Sequence, residues 1–72
     1  MNFPKKEKVE LIKKTYQTGD TIICDYMDDP NPVPSGTKGT VTSVDDIGQI
    51  HVQWENGQSL ALNEDVDKFH KE

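Results

Sequence analysis

The sequence predicts a mainly β domain in which four to five short strands bend around a small core, preceded by a short amphipathic helix. Three observations carry that expectation. From Ser35 to Leu62, apolar and polar positions alternate around two turn signals, Asp45-Asp46-Ile47-Gly48 and Asn56-Gly57. Upstream, Thr21 to Asp25 is rich in β-branched residues. Earlier still, Val9, Ile12 and Tyr16 recur at spacings of three and four, the period of one helix face.

The helix is expected over residues 4 to about 15. Pro4 suits its first turn, Leu11 widens the apolar stripe, and Phe3 just outside offers a hydrophobic staple. So short a helix is marginal alone, so its stripe is expected to dock on its own domain. Gly19-Asp20 ends the segment, and the first strand follows. Between Tyr26 and Gly36, Pro30, Pro32 and Pro34 stand at alternate positions; they remove backbone donors and favour an extended, stiff loop.

Thr40 to Val44 reads as the second strand, leading into a type I turn whose Gly48 takes the left-handed position. The third strand places Ile50, Val52 and Trp54 on one face and His51, Gln53 and Glu55 on the other. Leu60 and Leu62 share a face of a fourth strand, and Val66 with Phe69 closes the chain as a turn or fifth strand. One long loop followed by tight hairpins describes a small SH3-like barrel, closed so that no strand edge is exposed. The expected organisation is a helix over 1–17 and a barrel over 18–70, one domain in all.

At 72 residues, with 32% apolar residues, the chain has room for a thin core and little for a deep cleft. The net charge is -5 and arginine is absent, which speaks against a phosphate-binding surface. The charge is unevenly spread: five lysines against two glutamates make positions 1–14 basic, so the body is strongly acidic. Cys24 has no partner for a disulfide, and no apolar run approaches the roughly 20 residues of a membrane span, so a cytoplasmic protein is expected. Cys24 sits beside Ile22 and Ile23, where a buried thiol is inert.

The segments Asp25-Tyr26-Met27-Asp28-Asp29-Pro30 and Gly36-Thr37-Lys38-Gly39-Thr40-Val41 stand out. With Phe3-Pro4, Gly19-Asp20, Val44-Asp45-Asp46, Gly48-Gln49-Ile50-His51, Trp54, Asn56-Gly57 and Leu60-Ala61-Leu62, they resemble DUF4314, a family of small bacterial proteins met mainly in Firmicutes. Ser35 departs from the proline expected before Gly36-Thr37. The resemblance implies an accessory protein of mobile elements and carries over no catalytic or binding residues.

The carboxylates of Asp25, Asp28, Asp29, Asp45 and Asp46 match no calcium-loop spacing, and solvated turn-capping acids explain them better than a metal site. For general-base work His51 would need an acid such as Asp46, and no nucleophile or oxyanion hole accompanies it; His70 lies in a tail. The expectation is therefore a protein that is not an enzyme and needs no cofactor or metal. Its partner is a protein or peptide, docking on Tyr26, Met27, Asp28, Asp29, Pro30, Pro32 and Pro34, the adjoining turn of Asp45 and Asp46, and Trp54 if it is exposed. Alternation with Ile50 and Val52 favours a core Trp54, whereas Tyr26 and Met27 are expected at the surface. The alternatives are a nucleic-acid-associated protein using Lys5, Lys6, Lys8, Lys13 and Lys14, and an acidic mimic of DNA. Membrane association is not expected.

Overall fold

A computed structural model describes residues 5–72. It contains helix α1 (Lys6–Thr15) and strands β1 (Thr21–Tyr26), β2 (Lys38–Val44), β3 (Ile50–Trp54) and β4 (Lys68–Lys71). The strands form one antiparallel sheet in the order β3-β2-β1-β4.

The period-two pattern fixes which sheet face is covered. Ile22 and Cys24 of β1, Val41 of β2, and Ile50, Val52 and Trp54 of β3 are all buried, while Thr40, Thr42 and Gln53 face water. Helix α1 lies on the apolar face: Ile12 joins the core, Val9 is buried, and the Tyr16 ring meets Phe69 at 5.4 Å between centroids. The helix thus docks on its own domain, as its length requires. Leu11 is 64% exposed, so the stripe is narrower than expected. Phe3 and Pro4, assigned to the helix start, lie outside the described residues.

Close packing explains one glycine and turn geometry another. A Cβ on Gly39 would collide with Val52 Cγ1 and with the Trp54 ring, so only a bare Cα lets β2 cross the indole. Gly48 closes the 45–48 turn at φ 82°, with its N–H donating to Asp45 O at 3.1 Å. The hairpin at Asn56-Gly57 is closed in the same way, by Gly57 N–H to Trp54 O.

Two expectations are corrected. The sheet is open, not a closed barrel: among the described residues no ladder joins β3 to β4. Nor do Leu60 and Leu62 form a fourth strand. Leu62 makes only an isolated bridge to Ile50, while the Trp54 indole N–H takes the Leu60 carbonyl at 2.9 Å. That carbonyl is engaged by a side chain, so the segment follows the β3 edge without a continuous ladder. The last strand is β4, where Phe69 is half-buried; Val66 lies in the preceding turn, 45% exposed.

Candidate interaction loop

The loop between β1 and β2 is built inward from two apolar anchors. Val33, flanked by prolines, is buried, and Met27 is only 5% exposed. The Val33 N–H approaches Met27 Sδ at 3.5 Å, and the Cys24 thiol faces the Val33 carbonyl at 3.6 Å. The base of the loop is closed by Gly36 N–H to Cys24 O and by Cys24 N–H to Thr37 O. Cys24 is fully buried; burial, with Asp25 and Asp67 nearby, pushes its thiol up, away from the thiolate a nucleophile needs.

Asp67 is the most heavily used polar group here, and the sequence reading did not single it out. It is 5% exposed, and its two carboxylate oxygens accept N–H groups from Asp28 at 2.8 Å and Asn63 at 2.7 Å. A carboxylate so buried needs such donors, and by taking them it fastens the 27–37 loop to the turn before β4. The only sequence signal was its place between the Asn63-Glu64-Asp65-Val66 turn and the last strand.

On the outer surface of this framework stand Asp28, Asp29, Pro30, Pro32 and Pro34, all exposed, with Tyr26 58% exposed at the end of β1. Asp29 accepts the Asn31 N–H, a local Asx turn, and the Gln58 side chain donates to Asn31 O at 3.0 Å. The loop therefore abuts the Asn56-Gly57 hairpin.

The structure separates several residues that the sequence grouped. Met27, expected at the surface, is a core residue, because the strand bulge between Cys24 and Tyr26 shifts the alternation. Trp54 is 1% exposed and contributes nothing to a surface. Asp45 and Asp46 do not adjoin the loop. They follow β2 whereas the loop precedes it, and 7 residues of strand put the two about 20 Å apart.

The acids also have separate duties. His51 Nε2 is hydrogen-bonded at 2.9 Å to Asp45, not to Asp46, and Asp45 also accepts the Ile47 and Gln49 N–H groups. Partial burial pushes the Asp45 carboxyl up, but those donors outweigh it and hold the group below the usual carboxylate value. Asp46 faces Lys13 at 3.2 Å, and Asp25 faces His70 Nδ1 at 2.8 Å. Among the described residues no three of His, Cys, Asp and Glu gather as a metal ion would require. Nor is any described helix long and apolar enough to cross a membrane.

The likeness in the loop and in β2 extends through the chain. The profile described as Domain of unknown function (DUF4314) matches residues 5–72. The chain belongs to that family. Neither a curated protein nor a solved structure matches it.

Proposed function

We propose that this DUF4314 domain is a non-enzymatic binding module that receives a protein or peptide partner on the loop from Tyr26 to Pro34. The observation that carries the reading is the division of labour within that loop. Met27, Val33 and Asp67 hold it from inside, and the prolines and Tyr26 are left outside in a fixed conformation. A preformed surface loses little ordering entropy on binding, and an exposed tyrosine beside prolines suits an extended chain. The strand order, with Leu62 beside β3 at one edge and β4 beside β1 at the other, is compatible with an SH3-like module whose barrel is incomplete.

The test is chemical-shift mapping of the labelled protein titrated with candidate partners. Perturbations should centre on Tyr26, Asp28, Asn31 and Gln58, and Tyr26→Ala should weaken binding without changing the fold. Shifts confined to helix α1 or the 45–48 turn would reject the placement. Nucleic-acid binding through the lysines is less well supported, since Lys8 and Lys13 already face Asp65 and Asp46. A mobility shift that weakens steeply with salt would revive it.

A further inference from the structure

The backbone of β4 leaves a defined set of groups unused. Glu72 N–H donates to Thr21 O at 3.0 Å, and His70 stands opposite Ile23, so His70 and Glu72 turn their backbone groups toward β1. Antiparallel alternation then turns the N–H and C=O of Phe69 and Lys71 away from the sheet. The other edge is partly satisfied, because Trp54 N–H donates to Gln58 O and Ile50 exchanges bonds with Leu62. Among the described residues no backbone group outside the sheet meets Phe69 or Lys71.

We propose that this edge pairs with the β4 edge of a second copy of the chain, antiparallel about a two-fold axis at His70. The parity of the outward groups restricts the register, and charge selects among the registers that remain. With the axis at His70, Phe69 lies opposite Lys71 of the second copy, and Lys68 lies opposite its Glu72, twice by symmetry. A shift of two residues one way sets Lys71 against itself; a shift the other way sets Lys68 against His70. Lysines on an edge strand normally oppose such pairing, and here Glu72 across from each Lys68 offsets them. Lys68 has no ion pair within the chain among the described residues, whereas Glu72 is shared with Lys38 at 2.6 Å. On the inner face, Phe69 would lie against the Lys71 side chain of the second copy, whose ammonium is held by its own Asp20 at 3.1 Å and stands 5.7 Å from its own Tyr16 ring. The strand is short, so the interface falls at the small, weak end of the scale and the dimer forms only at high concentration.

Sedimentation velocity over about two decades of concentration, up to the millimolar range, tests the pairing. The wild-type mass should rise from monomer toward dimer. Lys68→Glu, confirmed as folded by circular dichroism, should weaken association at least about tenfold, and Lys68→Glu combined with Glu72→Lys should restore it. In the concentrated wild type, the amides of Phe69 and Lys71 should shift most. A wild type that stays monomeric overturns the proposal, as does a double variant no better than Lys68→Glu, or shifts centred on another surface.

Discussion

The two ends of the sheet are stabilised in opposite ways. The 45–48 turn is held by its own residues: Asp45 accepts N–H groups two and four positions ahead and Gly48 closes the bend. The 27–37 loop is held by residues distant in sequence, through Asp28 to Asp67, Asn31 to Gln58 and the burial of Met27 and Val33. The turn is local and solvated, so a change there stays there. The loop's conformation belongs to the whole core, and its outer surface is fixed only as firmly as that core.

Trp54→Ala should break this arrangement most severely. It empties a fully buried site beneath the loop end and orphans the Leu60 carbonyl, and a loss of about 4 kcal/mol in urea unfolding is expected. Asp67→Ala comes next. It leaves the Asp28 and Asn63 N–H groups without acceptors, costs about 3 kcal/mol, and should raise amide exchange at Asp28 while the 45–48 amides stay protected. Equal loosening at both ends would erase the distinction.

Asp45→Asn probes the local end through pH. The folded-state carboxyl lies below its usual value, so its contribution is present above the unfolded-state value of about 3.9 and is lost as pH falls through the lower, folded one. Wild-type stability should therefore drop below about pH 4, and Asp45→Asn should make that limb shallower in acid titrations of unfolding. Asp20 adds to the same limb: hydrogen bonds from the Gln17 N–H and from Lys71 lower its carboxyl too. The smallest effect belongs to Lys13→Ala. Its partner Asp46 is fully exposed, so the melting temperature should match the wild type within error.

Elements whose signals are local were legible in the sequence: the helix, the glycine turn after β2, and the inward set of Ile50, Val52 and Trp54. Met27 was misplaced because one bulge inverts the alternation after Cys24, and nothing in the neighbouring residues announces a bulge. Val33 was hidden among prolines, where a lone apolar residue has no period to reveal it. The fourth strand had the right alternation, but the Trp54 indole competed for one of its carbonyls.

By itself, then, the sequence determined the mainly β character, the short helix and the side of the third strand that faces inward, because those follow from spacing within a few residues, and its motifs taken along the whole chain carried the resemblance to the family. Only the tertiary structure decided that the sheet stays open and that the loop and the 45–48 turn lie at opposite ends. It alone also showed that Asp67, far along the chain, fastens the loop. Each of these depends on which distant backbone groups find a partner, and spacing along a chain carries no record of that.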